Sequence, residues 1–294
     1  MHVPTISKGT ACCTRLAPAA KVAVSTLKGK LDLELLWKDR AWVLLHIPKT
    51  GGTFITALMA RSNASSQSME SQYLNEGLEL VSRDWREPSP WHMPPDVYMH
   101  FYSTRGFYQN RTVFCVVREP SERYRSEAAF RSQERHRFPP RLFPQLTDKL
   151  GASSALQMLQ YGRWIPPSES LTHLQPQSWY VWNEEGLPQC HCVLPIERLA
   201  ALAGKSEGVF RNALRPLILK NLSLSHVSSY RDPVPPELLS RLYEVDTLLW
   251  AASLASTCLC FQPPVLPRSY ISRIGRLSNT ELAFVKAQLL DCAF

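Results

Sequence analysis

No stretch of about 18 consecutive apolar residues occurs, the least a helix needs to cross a bilayer, so the sequence predicts no transmembrane span. Eight cysteines are present, but none stands in the C-x-x-C repeat of a zinc site. No recognition helix, zinc-finger spacing or aromatic-basic strand signature accompanies the positive charge, so nucleic acid ranks below other anions as a partner. No internal repeat of fixed period is found. The first thirty positions hold no acidic residue and carry Lys8, Arg15, Lys21, Lys28 and Lys30 among small residues, a loose likeness to a transit peptide. They are read as the main part of a flexible polar arm over 1–40.

What is there suits a folded protein. The chain has 294 residues, 45% of them hydrophobic and 20% charged, enough for one large α/β domain, expected over 41–255, with a helical tail over 256–294 packed on it. A formal charge of +8 points to anionic partners such as a nucleotide, a sulfated or uronic-acid polysaccharide, or an acidic membrane surface. Tripeptides at Asn63, Asn110 and Asn221 fit the glycosylation acceptor pattern and tilt toward a secretory lumen. Cys190 with Cys192 and Cys258 with Cys260 form two C-x-C pairs that can cross-link in an oxidising compartment or stay reduced in cytosol. On a strand, Cys190-His191-Cys192 turns both sulfurs to one face with no second ligand pair at hand, so no metal is expected there.

Ala41 to Ile47 (AWVLLHI) is a short apolar run ending at Pro48, the pattern of a strand buried on both faces of a parallel sheet. Thr50-Gly51-Gly52-Thr53 then reads as a turn, and Phe54 to Met59 as the start of a helix. Further strands are expected at Val97–Tyr102 and Thr112–Val117, the latter running through Arg118-Glu119 into a helix opened by Pro120. Another is expected at His191–Leu194, ahead of a short helix at Ile196–Ala203. Pro236 to Ala255 carries core leucines at helical spacing. Ser278 and Glu281 form a capping-box pattern before a last amphipathic helix with Leu282, Val285 and Leu289 on one stripe. Strands alternating with helices predict an α/β fold with a central, mostly parallel sheet flanked by helices.

A glycine-containing turn from a strand into a helix presents unpaired backbone N–H groups and the positive end of the helix dipole. In His46–Thr53 (HIPKTGGT), Gly51 and Gly52 allow close backbone approach, Lys49 adds a mobile charge, and Thr50 and Thr53 add hydroxyls. The nucleoside-triphosphate P-loop has its Lys after the glycines, with a Ser or Thr beside it for magnesium, whereas Lys49 precedes them here. The strand Thr112–Val117 ends in Arg118 where a metal-holding Asp would stand. The site therefore reads as one for a metal-free anionic donor.

Strand-HIPKTGGT-helix followed by strand-VVREPSERYRSE resembles the two cofactor motifs of sulfotransferases that use 3′-phosphoadenosine 5′-phosphosulfate (PAPS). The likeness is nearest to the carbohydrate branch with the heparan sulfate 2-O- and 6-O-sulfotransferases, and extends loosely over positions 41 to 250. It implies a P-loop-like sulfotransferase fold. It also implies that Lys49, Thr50, Gly51, Gly52 and Thr53 bind the 5′-phosphosulfate while Arg118 and Ser126 bind the 3′-phosphate. The implied reaction transfers a sulfuryl group to a hydroxyl, expected to be on a glycan, leaving 3′-phosphoadenosine 5′-phosphate (PAP) and using no metal. It implies a Golgi lumen location although the chain shows no anchor; a cytoplasmic enzyme is the alternative. Weaker likeness runs through Gln177–Leu199, and Tyr243 and Asp246 read as packing residues.

Sulfuryl transfer needs a base for the acceptor proton and positive charge where the leaving group gathers electrons, which Lys49 can supply. His100 is the expected base, because Tyr98-Met99-His100 resembles a His-x-His element of the carbohydrate enzymes with its first His replaced by Tyr. His92 and the carboxylates Glu76, Glu79, Asp84 and Glu87 are alternatives. The basic run Arg131–Arg141, with Arg135, His136 and Arg137, can dock an acidic acceptor chain or form a solvated loop. Two rival functions stand beside this reading: an ATP-dependent kinase, and a non-catalytic binder of PAP or polyanions.

Overall fold

A computed structural model of the chain describes residues 42–52, 55, 90–102, 112–137, 149–164, 169–198, 235–256 and 261–293. The arm over 1–40, Thr53, the carboxylates Glu76, Glu79, Asp84 and Glu87, Arg141 and the asparagines Asn63, Asn110 and Asn221 lie outside the described residues, as do the side chains of Arg131, Arg135, His136 and Arg137.

Three strands, β1 (Trp42–Leu45), β2 (Thr112–Val117) and β3 (Cys192–Pro195), form a parallel sheet in the order β1-β2-β3 among the described residues. Leu45 is level with Cys115, and Val117 with Pro195, so the three chains leave the sheet at one edge. Val43, Leu44, Leu45 and Val113 through Val117 are all at most 2% exposed, which is why these strands read as unbroken apolar runs. Each such Val or Leu contributes about 1.5–3 kcal/mol on leaving water. Beyond β3 the sheet gains an antiparallel bridge from Val193 to Phe261, whose amide and carbonyl both pair with it.

The segment expected as a strand at Val97–Tyr102 is instead helix α1 (Pro95–Tyr102). Its burial shows the reason: Val97 and Tyr98 are buried while Met99 and His100 are exposed, a pattern no alternating strand gives. Pro95 at the first helical position and Asp96 in the first turn are the start signals that the aromatic run masked. Among the described residues, further helices are α2 (Pro120–Arg137), α3 (Lys149–Tyr161), α4 (Glu169–Leu174), α5 (Ser178–Val181), α6 (Pro236–Leu242), α7 (Glu244–Ala255), α8 (Arg268–Ile271) and α9 (Asn279–Asp291). The single helix expected over Pro236–Ala255 breaks at Tyr243, which caps α6 and opens α7. The capping box at Ser278 and Glu281 is present, and Val285 and Leu289 of α9 enter the core.

Two cross-links hold the elements around the sheet. Cys115 of β2 is disulfide-bonded to Cys190, with Cα atoms 5.8 Å apart, which joins the first C-x-C pair to β2, while Cys258 and Cys260 lie outside the described residues. Cys192 is also disulfide-bonded, so both sulfurs of the Cys190-His191-Cys192 stretch are engaged and neither is a metal ligand. The second cross-link is polar. Arg163, in the 3₁₀ turn after α3, is 3% exposed; it donates to the Trp182 and Trp179 carbonyls and reaches Asp96 of α1 at 2.9 Å. Asp96 also accepts from the amides of Val97 and Glu184. Burial raises the Asp96 pKa, with the Arg163 guanidinium opposing. Among the described residues, no helix is long and apolar enough to cross a membrane.

Candidate active site

The three parallel strands deliver the loop after β1, the Arg118 turn and Ile196 to one edge of the sheet, where ligands of open α/β sheets bind. In the first loop Lys49 has φ 66° and Gly51 φ 92°, while Thr50 between them has negative φ. Alternation of this kind turns successive backbone N–H groups toward one side and makes an anion-binding concavity. Ile55 N donates to Gly51 O at 3.0 Å, so a helical turn begins directly behind that concavity and adds its dipole.

The Thr50 hydroxyl, expected as a ligand donor, donates instead to Ile47 O at 2.8 Å, and the residue is 1% exposed. Thr50 therefore holds the loop in shape. Lys49 is half-buried, with Nζ 4.1 Å from the centroid of the Phe130 ring. Gly52 is required by close approach: a Cβ there would stand 1.8 Å from His46 Nε2 and 2.4 Å from Cε1. His46 is 7% exposed and has little room to retreat. Gly52→Ala is expected to lower stability by about 1–3 kcal/mol through overpacking, read as a lower urea midpoint with an unchanged m-value.

Arg118 follows β2. Its backbone amide donates to Gln177 Oε1 at 2.9 Å and its carbonyl accepts from Gln177 Nε2 at 2.8 Å, so one amide side chain brackets the turn. Gln177 is fixed in turn by Asp246, whose two oxygens accept from the amides of Gln177 and Ser178 at 2.7 and 2.8 Å. Burial raises the Asp246 pKa, opposed by these bonds and by the Arg123 charge. The Arg118 side chain is 24% exposed and 3.7 Å from Glu122; burial lowers its pKa and Glu122 opposes that. A planar guanidinium leaving a strand end suits two phosphate oxygens. Ser126, half-buried on α2, lies about two turns further along that helix.

Helix α2 faces the loop with a stripe of Arg123, Tyr124, Glu127 and Ala128, all buried. Arg123 stands in the second motif of the sequence, yet its structural part was not legible there. Its Nε donates to Pro48 O and its Nη2 to His173 O, each at 2.9 Å, tying the first loop to α2 and α4.

His92 belongs to the 3₁₀ turn Pro90–His92 and is half-buried, its ring edge-on to His46 with centroids 5.0 Å apart. Its Nδ1 lies 3.0 Å from His173 Nε2, and His173 Nδ1 lies 2.9 Å from Glu127 Oε2. His100 is on the exposed side of α1, with its ring 4.9 Å from that of Trp164. The structure thus brings Lys49, His46 and His92 together around the first loop, with Arg118 at the adjoining strand end. The signal for His92 in the sequence is slight, a His three residues ahead of Pro95. No family model, curated protein or solved structure matches the chain.

Proposed function

We propose that the chain is a PAPS-dependent sulfotransferase of the carbohydrate type, transferring a sulfuryl group to a hydroxyl of a glycan. The observation that carries the reading is that the two motif segments leave the sheet at one edge, where each suits an anion. The loop with Lys49 ahead of Gly51 and Gly52 suits the 5′-phosphosulfate, and Arg118 with Ser126 at the neighbouring strand suits the 3′-phosphate that separates PAPS from ATP. The left-handed Lys49, the close fit of Gly52 under His46 and the guanidinium of Arg118 are compatible with such a donor. The motifs quoted from the sequence resemble that family, and a P-loop-like arrangement accords with parallel strands feeding loops at their carboxyl ends.

In this reading the acceptor hydroxyl attacks sulfur opposite the bridging phosphate oxygen. An oxygen–sulfur bond forms, the sulfur–oxygen bond to the 5′-phosphate breaks, and PAP departs with the electron pair. Lys49 supplies the positive charge that this step calls for at the leaving oxygen. His92 is preferred to His100 as the base, because His92 adjoins the loop through His46 whereas His100 packs on Trp164. The disulfides at Cys115 and Cys192 favour an oxidising lumen.

Calorimetric titration of PAP and ATP into the wild type, Lys49→Ala and Arg118→Ala tests the assignment. Wild type is expected to bind PAP at least about tenfold more tightly than ATP, and Arg118→Ala to weaken PAP by about 10–100-fold, the size of a lost charge-assisted phosphate contact. Equal binding of both nucleotides, indifferent to Arg118→Ala, would overturn the assignment, and magnesium-dependent preference for ATP would put a kinase in its place.

A further inference from the structure

Behind His92 stands a buried chain of titratable groups that the transfer step does not itself use. His173 is 5% exposed and Glu127 3% exposed. With Glu127 ionised, its Oε2 only accepts, which places the proton of His173 on Nδ1. His173 Nε2 is then an acceptor and requires the proton of neutral His92 on Nδ1. That leaves Nε2 of His92 as its basic nitrogen. One buried carboxylate thereby sets the tautomers of two imidazoles in series.

We propose that Glu127 and His173 form a two-step proton relay behind His92, acting as positioning residues that fix its tautomer and take up the charge when it deprotonates the acceptor hydroxyl. The inference rests on reading this centre as one for sulfuryl transfer. When His92 Nε2 takes the hydroxyl proton, the Nδ1 proton of His92 can pass to His173 Nε2. The positive charge then rests on His173 beside Glu127, as a buried ion pair. Charge leaves the half-buried base without any group having to exchange with solvent.

The surroundings of the relay fit this use. His46 stands edge-on to His92, and the Tyr180 hydroxyl donates to His92 O, fixing the backbone that carries the base. Arg123 donates to His173 O and not to its ring. Phe130 lies 5.9 Å from the His173 ring and also carries Lys49 Nζ over its face, so the lysine and the relay share one aromatic neighbour. Among the described residues, Glu127 contacts the imidazole pair, and Arg123, Lys49, His46 and Tyr180 are further titratable groups near it.

The test combines nitrogen-15 NMR of the imidazoles with the pH profile of kcat, using PAPS and O-desulfated heparin as the probe acceptor, in wild type, Glu127→Gln and His173→Gln. In wild type at neutral pH, His92 is expected as the Nδ1–H tautomer. Glu127→Gln keeps the shape but removes the charge. It is expected to lower kcat by about 10–100-fold, with KM for PAPS and PAP affinity changed by less than about twofold, and to move the acid limb of the profile to lower pH. His173→Gln is expected to lower kcat at least as much and to let the His92 proton move to Nε2.

The relay is overturned if wild-type His92 carries its proton on Nε2, a result that needs no variant to fold. It is overturned equally if Glu127→Gln leaves kcat and the acid limb unchanged. Absence of PAP binding and transfer in wild type would instead remove the sulfotransferase reading, with the tautomer measurement still judging the hydrogen-bonded chain.

Discussion

Lys49→Ala is expected to lower kcat by about 10²–10³-fold while weakening PAP by no more than about tenfold. The asymmetry follows from where the charge sits. Lys49 projects from a left-handed turn ahead of the glycines, with Nζ resting 4.1 Å from the Phe130 ring centroid. In the sulfotransferase reading proposed above, backbone N–H groups of the loop and the following helical turn hold ground-state phosphate without it. Negative charge grows on the bridging oxygen only as the sulfur–oxygen bond breaks, and one preorganised donor at such an oxygen is worth about 2.7–4 kcal/mol. Single-turnover transfer from PAPS to O-desulfated heparin, set beside calorimetry with PAP, separates the two effects. Equal losses in kcat and in PAP affinity would make Lys49 a binding residue only.

Arg163→Met is expected to cost about 3–5 kcal/mol of stability, the largest loss anticipated for a residue outside the first loop. The substitution leaves the half-buried Asp96 without its cation and withdraws the donors that serve the Trp179 and Trp182 carbonyls. Asp96 still accepts from Val97 and Glu184, so the double variant Arg163→Met with Asp96→Asn should recover part of the loss by removing the unpaired charge. Urea unfolding followed by far-ultraviolet circular dichroism measures both. A single variant within about 0.5 kcal/mol of wild type would mean that the pair contributes no more than a surface ion pair.

The parts of the fold legible in the sequence are those whose cause is local. Val43–Leu45 and Val113–Val117 are continuous apolar runs because neither face of the strand meets water, and the first loop is bounded by Pro48 and its glycines. The Ser278 cap was legible because its partner Glu281 stands three positions away. Helix α1 was misread because Tyr98-Met99-His100-Phe101-Tyr102 has the aromatic content of a strand, while its burial repeats in pairs as on a helix. Tertiary packing on Gln189 and Arg163, far along the chain, decided the outcome.

The candidate site divides in the same way. Lys49, the glycines and Arg118 announce themselves through motif spacing. His92 meets His173 across 81 positions and His173 meets Glu127 across 46, so no local pattern joins them. Arg123 was hidden for a different reason. Its partners are the Pro48 and His173 carbonyls, and backbone acceptors leave no mark in sequence.

The disulfide from Cys115 to Cys190 spans 75 positions. Arg118, Arg123, Glu127, His173 and Gln177 all lie between its two ends, so most of the wall facing the first loop belongs to one covalent ring. Closing a ring of this length removes about 4–5 kcal/mol of unfolded-chain entropy in the loop-closure account. The ring also gives the wall tolerance to proteolysis. A single cut anywhere between Cys115 and Cys190 leaves both fragments tethered, and the piece bearing Arg118 stays attached to the piece that runs on through β3 until a reductant opens the bond.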